Sequence, residues 1–163
     1  MNPGIGIMHG RALGGVVSVA SLLATGCVTT TGGNDARSAD AQPRQIVAAY
    51  YEAINRRDLL ALPAYVAPDV SWYSVIDGER LLEVDSREDL AAAFTTYFER
   101  FPETRVSVEA WLEAGKIVAV RERTGWSDGA SSGSGERLGV FELEDQRIVR
   151  VTYFLPDGAA PGR

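Results

Sequence analysis

The clearest alternation of apolar and polar positions lies at 117–126, IVAVRERTGW. Successive side chains of a strand point to opposite faces. Val118, Val120, Glu122, Thr124 and Trp126 therefore share one face, and Ile117, Ala119, Arg121 and Arg123 take the other. The first face is mostly apolar and carries a single acid. If that face lines an interior pocket, Glu122 is the most informative titratable group in the chain; if it faces water, Glu122 means little.

Upstream the period is helical. Pro43, tolerated in a first turn, opens a helix with Ile46, Val47, Tyr50, Ala53 and Ile54 on one side. Arg56 and Arg57 close it, where cations suit the helix dipole. Asp58 can cap a second, short helix with Leu59, Leu62 and Val66 inward, which Pro63 kinks or shortens. A strand at 70–76, a tight turn at Asp77-Gly78 and a return strand at 79–84 form a hairpin. Ser86-Arg87-Glu88-Asp89 is a capping signal for a third helix. Its Leu90, Phe94, Tyr97, Phe98 and Phe101 form an aromatic stripe before Pro102 stops it, and such a stripe first satisfies packing. Strands at 105–114, 116–126, 136–143 and 148–155 follow as a meander, with a mobile Gly/Ser loop at 127–135. The fold class is α+β, a curved antiparallel sheet wrapped around three helices.

Along 136–143, Arg137, Gly139, Phe141 and Leu143 share a face, while Glu136 and Glu142 mark the other as solvent-facing. Pairing Trp126 with Gly135 across an eight-residue loop sets Glu122 opposite Gly139 and Thr124 opposite Arg137. Glu122 and Arg137 then lie on a diagonal that long side chains can span. The last strand adds Val149, Val151, Tyr153 and Leu155 to this face. A carboxylate with one arginine in an apolar cup can hold a shifted pKa and act as acid or base; an ion pair that only supports the fold has the same signature.

Composition narrows the chemistry. With 163 residues, 45% hydrophobic and 23% charged, the chain suits one soluble domain. A net charge of -6 with dispersed basic residues argues against nucleic acid as a partner. Residues 1–26 carry Arg11, an apolar run from Ala12 to Ala24 too short to span a bilayer, and small residues before Cys27, the pattern of a cleaved export signal. Residues 27–42 are small and polar, a tether; the domain occupies 43–156, and 157–163 form a disordered tail. His9 and Cys27 are the single histidine and cysteine, so the processed domain has no imidazole or free thiol. That excludes Ser-His-Asp and Cys-His nucleophiles and His/Cys metal clusters; no metal or cofactor is expected. Gly125-Trp126-Ser127-Asp128-Gly129 matches G-x-S-x-G but lacks the histidine and the strand-turn-helix context of a nucleophile elbow.

Leu23-Ala24-Thr25-Gly26-Cys27 resembles the lipobox of bacterial lipoproteins, which implies lipidation at Cys27 and an anchored place in the bacterial cell envelope. Val28, where an Asp would signal inner-membrane retention, resembles outer-membrane sorting, with the domain facing the periplasm. Over 45–155 the order of elements, with AAYYEAINRRDLLAL, YFERFPE and RIVRVTYF, resembles the nuclear transport factor 2-like superfamily and within it the SnoaL-like group. The resemblance implies a cone with an apolar pocket, in families that include steroid isomerases, polyketide cyclases, dehydratases, epoxide hydrolases and binders without catalysis. Laid on ketosteroid isomerase, Tyr50 matches the oxyanion-hole tyrosine, Ser74 stands at the aspartate base, and Gly139 stands near the protonated aspartate. The overlay puts Trp72, Val118, Val120, Glu122, Phe141, Val151 and Tyr153 on the pocket side.

Three readings stand. The first is a lipid-anchored module binding a small apolar or aromatic molecule, with Tyr50, Trp72, Trp126 and Tyr153 around it. The second is an acid/base enzyme of isomerase, cyclase or hydrolase type, with Glu122 as proton acceptor, Arg137 as orienting cation and Tyr50 as donor. The third is a homodimeric interaction module that pairs through the outer sheet face with Arg121 and Arg123.

Overall fold

Two amphipathic helices, a single 3-10 turn and six strands make up the domain in a computed structural model that describes residues 42–156. Residues 1–41 and 157–163, and with them the export signal, Cys27, most of the tether and the tail, lie outside the described residues. The first helix, α1 (Pro43–Arg56), buries Ile46, Val47, Tyr50, Tyr51, Ala53 and Ile54. It ends where Arg57 turns left-handed, at φ 57°, and returns its N–H to the carbonyls of Ala53 and Ile54. The second, α2 (Arg87–Arg100), starts at Ser86, whose Oγ accepts from the Asp89 N–H, and buries Leu90, Ala93, Phe94, Tyr97 and Phe98.

Between them the expected second helix shrinks to one 3-10 turn at Leu62–Ala64. Asp58 does bond forward, its Oδ1 accepting from the Ala61 N–H at 3.0 Å, but Pro63 sits inside the turn and prevents a longer helix. Val66 is buried as expected, yet it belongs to a strand. The strands are β1 (Val66–Ile76), β2 (Glu79–Val84), β3 (Arg105–Ala114), β4 (Ile117–Ser127), β5 (Ser132–Glu144) and β6 (Arg147–Phe154).

They form one sheet in the order β2-β1-β6-β5-β4-β3. The meander β3-β4-β5-β6 is as expected, but the sheet is mixed, because β1 runs parallel to β6. Alternation reports which face a residue occupies and is silent on which strand lies beside it, so this pairing has no local signal. Register shifts in β1 at Trp72/Tyr73, in β3 at Val108/Ala110 and in β5 at Glu142/Leu143 bend the sheet around the helices, as bulges do. Asn55 fastens the end of α1 to β3 with two bonds of 2.8 Å, from its Nδ2 to the Val106 carbonyl and from the Val106 N–H to its Oδ1. Among the described residues no helix is long and apolar enough to cross a membrane.

Candidate functional site

Both central strands keep the predicted faces, but their register differs by two residues. Glu122 stands directly opposite Arg137, not Gly139; Thr124 pairs with Gly135, and Trp126 with Gly133. The reason is the loop. The Asp128 carboxylate accepts from the N–H groups of Ala130 and Ser131, at 3.0 and 2.7 Å, and these bonds close a tight turn at 128–131. Residues 132–135, expected in a mobile loop, instead extend β5. A slip of two preserves the face, so the expected partners meet more closely than a diagonal would bring them.

Glu122 is fully buried and is the one charged residue in the buried set of the described chain. Its Oε1 accepts from the Arg137 Nε and, at 3.3 Å, from the Thr124 hydroxyl. Its Oε2 accepts from the Tyr51 hydroxyl and, at 3.3 Å, from the Tyr153 hydroxyl. A carboxylate offers about four lone-pair sites, so these four donors satisfy it. Arg137 keeps 15% of its side chain exposed, and its guanidinium lies 3.9 Å from the Tyr153 ring centroid, a cation held on an aromatic face. Burial opposes that charge, but the carboxylate of Glu122 and the oxygens of Tyr153 and Tyr51 outweigh it, and the guanidinium pKa is raised.

The tyrosines are held as protonated donors. Burial raises the pKa of Tyr51 well above its ordinary value, with further push from Tyr153 and Glu122. Burial and then Glu122 raise that of Tyr153 as well, against a smaller opposing effect of Arg137. Tyr153 reaches Glu122 because β5 has a glycine beneath its ring. A Cβ at Gly139 would stand 2.8 Å from Tyr153 Cε1. The position laid against a protonated aspartate in ketosteroid isomerase is thus covered by the Tyr153 ring.

Tyr50 is buried in the same core but does not join this cluster. Its hydroxyl has no hydrogen-bonding partner, and burial raises its pKa strongly. Its ring packs edge-on against Phe141 at 6.2 Å and Phe94 at 6.4 Å. The α1 tyrosine that donates to Glu122 is its neighbour Tyr51, which sequence reasoning missed. Both fall within the wide apolar stripe that a core helix presents, and the Tyr50-Tyr51 doublet was the available signal.

The remaining candidates line the same face. Trp72, Ser74, Val118, Val120, Phe141 and Val151 are buried there, with Trp72 5.1 Å from Tyr153 and 5.7 Å from Phe94 between ring centroids. Trp126 lies partly exposed further along β4, edge-on to Phe101 at 5.6 Å, and its indole N–H is buried without a partner. Phe101 in turn meets Tyr97 at 5.2 Å.

Residues 47–151 match the family model described as a SnoaL-like domain. No curated protein matches the chain. Among solved structures, an NTF2-like protein from Burkholderia pseudomallei is 23% identical with a TM-score of 0.61, covering 70% of this chain and 90% of its own. An epoxide hydrolase from M. tuberculosis, described as LEH-like, is 18% identical with a TM-score of 0.61, over 70% of this chain and 78% of its own. A SnoaL-like polyketide cyclase from Agrobacterium tumefaciens is 16% identical with a TM-score of 0.60, over 71% and 92%. At these identities the likeness concerns the fold.

Proposed function

The chain belongs to the SnoaL-like domain family, and from that premise we propose that it is a lipid-anchored envelope protein whose domain binds a small, mainly aromatic molecule in its interior. The observation that carries this reading is the Tyr50 hydroxyl, fully buried and without a partner among apolar rings. Leaving such a group unsatisfied costs about 1–3 kcal/mol, a cost that a ligand oxygen placed against it removes. The surrounding Trp72, Phe94, Phe141 and Tyr153 supply the apolar and aromatic lining that such sites use.

The satisfied state of Glu122 favours binding over acid/base chemistry as the first reading, because a general base needs a free lone pair aimed at substrate. One observation keeps the second reading alive. The Tyr153 and Thr124 hydroxyls approach Glu122 only to 3.3 Å, so either can yield its place to a substrate proton donor, with Arg137 still bonded to the carboxylate.

A native mass spectrum of the purified protein tests the proposal. Bound ligand appears as mass that leaves on denaturation, whereas acylation at Cys27 adds lipid mass that stays. Tyr50→Phe should lose the retained ligand yet raise the stability of the ligand-free protein by roughly 1 kcal/mol, since it deletes an unsatisfied polar atom. A protein that carries no ligand and is destabilised by Tyr50→Phe would count against the reading. With the ligand identified, undiminished turnover of it by Glu122→Gln would sink the catalytic alternative.

A further inference from the structure

The chain enters the domain at Gln42, and the first turn of α1 fixes that point against the far end of β3. The Arg44 guanidinium lies 5.0 Å from the Trp111 ring centroid, and its Nη1 stands 4.0 Å from the Glu113 carboxylate. β3 alternates, so Leu112 points to the other face of the sheet, where it is 71% exposed. Ile117 of the next strand is 44% exposed. Leu112 pairs with Ala119 and Ala114 with Ile117, so the two large side chains are diagonal neighbours on one face, with only alanines opposite them.

The turn joining these strands, Gly115-Lys116, is held in place, because the Lys116 carbonyl accepts from the Leu143 N–H at 2.9 Å. Lys116 is the single lysine of the chain, and no described acid forms an ion pair with it. The acids of this end are matched by arginines: Glu113 by Arg44, Glu142 by Arg150 at 3.0 Å, and Glu144 across the β5–β6 turn from Arg147. That leaves one acid, Asp145, to one lysine. In a chain of net charge -6, this end is therefore close to neutral, and a phosphate-bearing surface repels it little.

An exposed leucine and isoleucine beside a lysine suit the interface of a bilayer, where apolar groups enter the acyl boundary and an ammonium stays at headgroup level. With Cys27 as the anchor, residues 28–42 are fifteen small or polar residues, a composition whose mean span is about 20 Å. That span keeps Gln42, and with it the corner of Leu112 and Ile117, within reach of the membrane. Docking is then intramolecular, at an effective concentration on the order of millimolar, so a contact of two apolar side chains suffices. Resting on the reading of Cys27 as a lipid anchor, we propose that Leu112, Lys116 and Ile117 dock the domain on the phospholipid bilayer that holds it. β4 runs from this corner to the turn at 128–131, about 30 Å away, so the domain stands on one end with Trp126 at the other.

The test labels Lys116 with a water-soluble amine-reactive ester, read by peptide mass, in the acylated mature protein reconstituted in vesicles of phosphatidylethanolamine and phosphatidylglycerol. The same mature chain made without export, residues 27–163, carries no acyl group and is the reference in the same suspension. The anchored protein should be labelled roughly tenfold more slowly, the effect of a docked state favoured about ten to one. Leu112→Ser combined with Ile117→Ser should return the rate to that of the reference. Leu60→Ser removes a leucine that is 95% exposed beyond the far end of α1, about 20 Å from Gln42 along the helix, and should leave the protection intact. Equal rates in anchored and free protein, or a loss of protection in Leu60→Ser as large as in the paired variant, would overturn the docking while the anchor stands. A mature protein with no acyl mass at Cys27 would overturn both.

Discussion

Glu122 is tolerated at zero exposure because Arg137 supplies the opposite charge from the next strand and three hydroxyls occupy its other lone pairs. Breaking a buried pair from one side strands the other charge, at a cost of about 3–5 kcal/mol when burial is complete. Arg137 reaches water at one edge, so Glu122→Gln is expected at the low end, about 3 kcal/mol, read as a fall in the urea midpoint at unchanged slope. The same cluster sets an alkaline limit. Tyr50, Tyr51 and Tyr153 have folded-state pKa values raised above the ordinary 10, mainly by burial, so the unfolded chain binds fewer protons than the folded one above that pH. Their contribution is intact below pH 10 and is lost as pH rises toward the folded values. Absorbance of phenolate near 295 nm should therefore develop partly with the unfolding transition; complete titration of all six tyrosines in the folded protein would contradict this.

The cluster draws on α1, β4, β5 and β6, and the approach of β6 to β5 within it depends on Gly139. Gly139→Ala would set a Cβ 2.8 Å from Tyr153, so the ring must shift and its hydroxyl must leave Glu122. Overpacking of this kind costs about 1–3 kcal/mol, and calorimetry should show the loss partly abolished in a Tyr153→Leu background, where the obstructing ring edge is gone. Much of this scale was legible in the sequence. Alternation over 117–126 identified the buried face, and the Ser86 cap and Pro102 bracketed α2 to within a residue or two, because these signals are local. The pairing of β1 with β6 was not legible, since it joins segments some eighty residues apart, and neither was the two-residue register. The latter turned on Asp128, whose side-chain bonds shorten a loop that composition alone describes as long and mobile. Tyr51 escaped for a geometric reason. Adjacent helical residues lie about 100° apart, within one broad core stripe, and only the tilt of α1 on the sheet decides which hydroxyl reaches Glu122.

At the scale of the whole molecule, the sheet has a second face that the helices do not cover. The ladder places Leu82, Tyr73, Thr152, Val140, Ala119 and Leu112 in one row across all six strands of that face. The next row sets Val75, Phe154 and Leu138 between Arg80 and Arg121, with Leu138 45% and Phe154 42% exposed. Ion pairs flank these rows: Arg123 with Glu109 and Glu136 on one side, Arg150 with Glu142 on the other. A face about 25 Å wide, from strands spaced about 4.8 Å apart, and about 20 Å along the strands gives roughly 500 Å² in projection. That projection is over half of the ~800 Å² per partner of a standard interface before side-chain relief is added. Arg121, Arg123 and Arg150 are paired within the chain and Arg80 lies over the Tyr73 ring, so the surface a partner meets is mainly apolar. A second copy related by a two-fold axis brings just that, since the same rows then face each other. The expectation is a mass that rises with concentration in sedimentation, and its collapse to the monomer in Leu138→Glu, which sets a carboxylate at the centre of both facing patches. Because Leu138 points away from the Glu122 cluster, the variant should keep the unfolding free energy of the parent within about 0.5 kcal/mol at a concentration where both are monomeric. A parent that sediments as a monomer throughout would leave these rows open to water, and the outer face would then carry no assembly.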